Sequence, residues 1–161
     1  AHAMEPEWMQ LPLVVAGHSA GAHLASELGL RSGKLPVGDP ARVDGIWAIS
    51  GIYDLEPLRE TTLNERLRLD METARQMSPI HRTADGGVPA VWLVGNTETP
   101  EFLRQNHAMH KAWQAQGHWS ACVEAPGKDH FNVLRSWALL EDGLDAVFND
   151  WWAAVSARDQ T

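Results

Sequence analysis

The chain has 161 residues, 44% hydrophobic and 21% charged, enough apolar material for one globular core and too much for a disordered tail. Its formal net charge of -8, with no basic cluster and no interleaving of basic and aromatic residues, argues against nucleic acid or an anionic membrane as partner. One cysteine, Cys122, excludes an internal disulfide framework and fits a reducing compartment; with no signal-peptide pattern and no apolar run near the about 18 residues of a membrane span, the expected location is cytoplasmic.

Residues 1–10, AHAMEPEWMQ, read as the end of a helix and a connecting turn punctuated by Pro6. LPLVVAG, residues 11–17, is a continuous apolar and partly β-branched run of the kind buried on both faces of a parallel sheet. A helix is expected over residues 20–30, closed by the loop RSGKLPVGDP, and VDGIWAIS, residues 43–50, is a second buried strand. The long segment 52–87 has no strand signal and is expected to hold two short helices, near 63–67 and 72–77. PAVWLVG supplies a third strand, a helix runs from about residue 100 to 116 before Gly117, and HWSACVEAP supplies a fourth strand. After the loop GKDHFN, the remainder to about Val155 reads as one terminal helix with Trp137, Leu140, Leu144, Phe148 and Trp151 on one side. There is no repeat, low-complexity tract or linker, so residues 1–161 are expected to form a single domain. Strand-helix alternation implies an α/β fold, with a mainly parallel sheet, right-handed crossovers and helices on both faces.

Reactive groups in such sheets gather at the carboxyl ends of the strands. Gly17-His18-Ser19-Ala20-Gly21 stands at the end of the first strand and the start of a helix, the context of a nucleophile elbow. The glycines two before and two after Ser19 are expected to let the chain turn sharply without side-chain clashes. Glu98 stands three residues after Gly95 at the end of the third strand, and His130 lies in the loop after the fourth. Serine, acid, histidine is the chain order of the α/β-hydrolases. A serine hydroxyl is a poor nucleophile at neutral pH, so an imidazole must take its proton during attack and return it to the leaving group, while a carboxylate fixes the imidazole tautomer. The Ala20 amide, at the helix N-terminus, is expected to face the developing oxyanion. Asp129 and Glu101 compete with Glu98 for the role of acid.

His107 and His110, three apart on the helix expected over residues 100–116, lack a third ligand at sensible spacing, so a solvated helix face is expected and neither a metal nor a cofactor is. His18 and His23 flank the nucleophile, and Cys122 and most of the eight tryptophans read as core.

The elbow GHSAGAHLA, the strand exit SGIYDLEPL, the SPI before the third strand, VGNTETPEFLRQ and KDHFNVL together resemble the kynurenine formamidase (arylformamidase) branch of the esterase/lipase α/β-hydrolases, from about Val14 to Leu134. The resemblance implies Ser19 as nucleophile, Glu98 as the acid in a position where aspartate is more familiar, and His130 as base. It further implies hydrolysis of an N-formyl aryl amide such as N-formylkynurenine, or of a short acyl ester, through an acyl-serine. A general short-chain carboxylesterase and a catalytically silent assembly module remain as other readings. His18, Tyr53, Phe102 and Phe131, beside the strand-end motifs, are candidate substrate-binding residues. In that fold several strands precede the elbow, and a loop with an H-G-G motif brings further oxyanion donors. No such motif occurs here. The expectation is the C-terminal portion of an α/β-hydrolase fold, covered along the elbow strand by a complementing N-terminal segment or by a second copy.

Overall fold

Four short apolar runs become strands: β1 (Val14–His18), β2 (Gly45–Ile49), β3 (Ala90–Gly95) and β4 (Ser120–Ala125). They belong to a computed structural model that describes residues 11–36, 39 and 41–157; the helix end expected over 1–10 lies outside them. The strands lie side by side in chain order, and each neighbouring pair is parallel. Every residue of β2 and β3 is buried, which is why these runs are apolar throughout and show no polar alternation. β1 and β4, at the edges of this sheet, are only partly buried.

The helices are α1 (Ala20–Ser32), α2 (Asn64–Leu67), α3 (Met71–Gln76), α4 (Pro100–Ala115), α5 (Val133–Leu139) and α6 (Leu144–Ser156). Successive side chains of a strand point to opposite faces, so each central strand feeds two cores. Ile46, Ala48, Ala90 and Trp92 pack with Ala22 and Leu30 of α1 and Met109 and Trp113 of α4. On the other face, Trp47, Ile49, Val91 and Leu93 pack with Val133, Leu144, Trp151 and Val155 of α5 and α6. Gly45 sets the approach of α6. A Cβ there would meet Val155 Cγ2 at 2.6 Å and the Trp151 ring at 2.9 Å.

The segment between β2 and β3 contains α2 and α3, as expected, and two 3-10 turns at Glu56–Glu60 and Pro79–Asp85. The single terminal helix is corrected. It is two helices, interrupted where Leu140 (φ 51°), Asp142 (φ 58°) and Gly143 (φ 82°) take left-handed backbone. The Ser136 hydroxyl donates to Asp142 Oδ2 at 2.9 Å and the Glu141 amide to the Ser136 carbonyl, which close the turn. Asp142-Gly143 is a turn signal that the apolar spacing overrode. Trp137, Leu140, Leu144, Phe148 and Trp151 still reach one core, because the break redirects the chain along the same face of the sheet. Among the described residues no helix is long and apolar enough to cross a membrane.

Trp92, with Trp113, is among the largest fully buried side chains of the described residues. It meets Tyr53 and Trp113 edge to face at 5.1 and 5.5 Å, and its Nε1 donates to Ser120 Oγ at 2.8 Å. Trp92→Ala is therefore expected to lower the unfolding free energy by about 3–5 kcal/mol in denaturant titrations.

Candidate active site

Ser19 occupies the turn between β1 and α1 with φ 56° and ψ −118°, a left-handed conformation unusual for a side-chain-bearing residue. Its amide donates to the Ile49 carbonyl of β2 at 2.9 Å, and its carbonyl accepts from the Ala22 and His23 amides, so the turn is fixed on both sides. The two elbow glycines differ. A Cβ on Gly17 would stand 2.1 Å from the Gly21 carbonyl oxygen, whereas one on Gly21 meets nothing within 4 Å among the described residues. Only Gly17 is demanded by the turn itself. Ala20 is exposed and begins α1, so its N–H belongs to the first turn, which has no intrahelical acceptor.

Glu98 and His130 are brought together. The Glu98 side chain is wholly excluded from solvent, and its Oε2 lies 2.7 Å from His130 Nδ1. Its Oε1 accepts from the Gly95 amide at 2.9 Å and from the Ser50 hydroxyl at 2.5 Å. With Nδ1 committed to the carboxylate as a donor, Nε2 of His130 is left with its lone pair as the basic atom. The two competing acids are engaged elsewhere. Glu101 pairs with Arg104 at 2.6 Å and accepts from Gln105, and these bonds hold its carboxyl below the usual range. Asp129 is exposed; it accepts from the amides of Asn132 and Phe131, which lower its carboxyl in the same way and shape the turn that carries His130.

The Glu98 and His130 loops are stitched together. The Lys128 carbonyl accepts from the Thr97 amide at 3.0 Å and hydroxyl at 2.8 Å, and the Gly127 amide donates to Asn96 Oδ1 at 2.7 Å. A Cβ on Gly95 would lie 2.3 Å from the Lys128 oxygen, so the close approach requires glycine.

Around the imidazole, His18 and Phe102 lie with ring centroids 4.5 Å from that of His130, and Phe131 stands edge-on at 5.5 Å. The His18 contact brings its chain neighbour Ser19 to the same end of the sheet. His18 Nε2 donates to the His130 carbonyl at 2.7 Å, a bond that ties the elbow to the histidine loop. Phe131 is 79% exposed and Phe102 partly buried. Tyr53 departs from its expected place. It is fully buried against Trp92, and burial pushes its phenol far above its ordinary range, so it belongs to the core and not to an open wall.

Sequence reasoning missed Ser50 and the bond from His18 to the His130 backbone. Ser50 had a signal, since it ends a buried strand beside a glycine within the SGIYD stretch. His18 had none, because its partner is 112 residues away.

His107 pairs with Glu124 at 2.6 Å and His110 Nδ1 with Ser120 Oγ at 2.8 Å, so the two imidazoles serve different partners. Asp54, Glu56 and His81 converge with donor atoms within 4.8 Å of one another. Two arginines already neutralise them: Arg104 meets Asp54 at 3.0 Å and Arg75 meets Glu56 at 3.2 Å. An apolar groove of about 400 Å³ runs between β1 and α5–α6, lined by Val14, Ala16, Trp47, Trp137, Phe148 and Trp151. It contains none of Ser19, Glu98 and His130.

A parallel sheet flanked on both faces, with a strained serine after one strand and a histidine–carboxylate pair after later ones, defines the α/β-hydrolase fold. Solved structures agree. A protein of Silicibacter sp. described as a candidate thioesterase is 36% identical with a TM-score of 0.71, over 84% of this chain and 50% of that one. Esterase 2 of Thermogutta terrifontis, 18% identical with a TM-score of 0.59 over 83% of this chain and 54% of its own, shares the fold. Within that fold, the sequence is similar to the kynurenine formamidases: that of Salmo salar is 32% identical over 129 residues, 76% of this chain and 44% of the relative. The chain thus spans under half the length of that curated relative. No family model matches it.

Two measurements check the geometry of this region. Gly17→Ala is expected to abolish labelling of Ser19 by a fluorophosphonate, because the turn must open to relieve the contact with Gly21; labelling at the wild-type rate would contradict the elbow geometry. Burial pushes the Cys122 thiol up to about 11, so alkylation at pH 8 should run about tenfold or more slower than that of a free cysteine, by mass spectrometry.

Proposed function

We propose that this chain carries the nucleophile, acid and base of a serine hydrolase that cleaves an N-formyl aryl amide of the N-formylkynurenine type. The observation that carries this reading is the buried Glu98 carboxylate bonded to His130 Nδ1, at the same end of the sheet as the strained Ser19. The similarity to kynurenine formamidase supports the substrate class.

In the proposed sequence, Ser19 Oγ attacks the formyl carbon as its proton passes to His130 Nε2. The carbonyl oxygen becomes an oxyanion that accepts from the Ala20 amide. Collapse of the tetrahedral adduct breaks the C–N bond, and the aryl amine leaves with the proton from His130. Water then attacks the formyl-serine, His130 again taking the proton, and formate is released as Ser19 is restored. Glu98 holds the imidazole tautomer and stabilises the imidazolium in both halves. Phe102 and Phe131, flanking His130, are the proposed wall for the aromatic leaving group.

A short-chain carboxylesterase is the second reading, favoured by the fold shared with esterase 2. Turnover of N-formylkynurenine compared with p-nitrophenyl acetate and butyrate separates the two. Either way, Ser19→Ala should eliminate fluorophosphonate labelling, and Glu98→Gln should lower kcat about 10³- to 10⁴-fold by losing the tautomer control. Failure of the probe to label Ser19 in the wild-type chain, with Ser19→Ala as control, would reject both readings and leave the chain as an assembly module.

The proposal extends to the sheet edge. Among the described residues β1 pairs only with β2, and Leu11 and Leu13 beside it are 69% and 47% exposed. An apolar strand edge of this kind is a template for pairing. We infer that a complementing segment pairs with it and brings the remaining oxyanion donors, whose loss costs about 10²- to 10³-fold in rate. Light scattering should show association with such a segment or between copies; a stable monomer with full esterase activity would refute this.

A further inference from the structure

Ser50 follows β2, directly before Gly51, and is completely buried. Its backbone is left-handed at φ 48°, a conformation that strains a side-chain-bearing residue and that glycine adopts freely. A serine held there needs a reason in its side chain. Its amide is anchored to the Leu93 carbonyl at 2.7 Å, and its hydroxyl donates to Glu98 Oε1 at 2.5 Å. The hydroxyl reaches the carboxylate from β2, whereas Glu98 follows β3 and His130 follows β4.

The two oxygens of Glu98 are therefore not equivalent. Oε1 is occupied by Ser50 and by the Gly95 amide, and only Oε2 faces His130 Nδ1. Gly95, the last residue of β3, precedes Glu98 by three residues and ties the carboxylate only to its own strand. Ser50 ties it to a different strand. Glutamate has one more rotatable bond than aspartate, and each unpinned bond spreads the carboxylate over more orientations.

We propose that Ser50 is a positioning residue for the hydrolytic site, its hydroxyl pinning Glu98 Oε1 so that Oε2 is presented to His130. This rests on the hydrolase reading for its effect on rate, but the link from Ser50 to His130 can be read without turnover. A purely structural role, holding the turn after β2, makes the opposite forecast for glycine. Ser50→Gly relieves the left-handed backbone and removes the whole hydroxymethyl group, whereas Ser50→Ala removes the hydroxyl alone.

The test compares Ser50→Gly and Ser50→Ala with the wild-type chain by proton NMR and by p-nitrophenyl acetate kinetics. The His130 Nδ1 proton, bonded to a carboxylate, gives a downfield resonance that is identified by its disappearance in His130→Ala. In both Ser50 variants it should shift or broaden into exchange with solvent, while thermal melting shows Ser50→Gly folded and no less stable than Ser50→Ala. Loss of a hydrogen bond to a charged group should lower kcat about tenfold or more, with KM changed less than about twofold. A folded Ser50→Gly protein whose resonance keeps its position and width overturns the proposal, whatever its rate. If the resonance changes but Ser19→Ala leaves turnover intact, the positioning of His130 stands and the hydrolase reading fails.

Discussion

The Glu98 carboxylate sets the terms for everything around it. A side chain of this kind removed from water is tolerable only when its oxygens are hydrogen bonded, because uncompensated burial costs several kcal/mol. Its three donors come from three places: the Ser50 hydroxyl after β2, the Gly95 amide at the end of β3 and the His130 ring after β4. They meet only if three parallel strands end at one level, as the register pairing Ile49 with Leu93 and Gly95 with Ala125 provides. Packing of two apolar layers on the sheet thus has a chemical product: it presents polar groups at the carboxyl end of the strands.

The loops beyond the strands are held by backbone as much as by side chains. The Lys128 carbonyl takes two hydrogen bonds from Thr97, and the absence of a Cβ on Gly95 lets those chains touch. Asp129 turns the chain so that His130 faces inward while Phe131 faces out. His18 then closes the set from the other side, its ring against that of His130 and its Nε2 on the His130 carbonyl. An imidazole held at its ring nitrogen, its backbone and its faces has little freedom left, as the proposed proton-transfer role requires.

The same sheet shows a contrast between its two edges. β4 carries Ser120, Cys122 and Glu124 toward α4, where His110, Asn106 and His107 meet them. β1 instead borders an apolar groove walled by Trp47, Phe148 and Trp151. Polar side chains complete one edge, whereas the other offers backbone groups and apolar surface.

The sequence by itself determined the strand order of events: four apolar runs alternating with helices, and Ser19, Glu98 and His130 each just past one of them. That much is local, since continuous burial and strand-to-helix turns leave their pattern in adjacent residues. The break at residues 140–143 was written in Asp142-Gly143 yet masked by apolar spacing that both halves share, because they cover one face. Tyr53, placed by its neighbours beside the site, is core, since which way a loop side chain turns depends on Trp92, 39 positions further along. What only the tertiary structure decided is who touches whom across strands. Glu98 rather than Asp129 or Glu101 meets His130, Ser50 fixes the carboxylate, and His18 holds the histidine loop. These choices are made by parallel register and loop packing between residues 32 to 112 apart, and no local pattern in the chain encodes such distances.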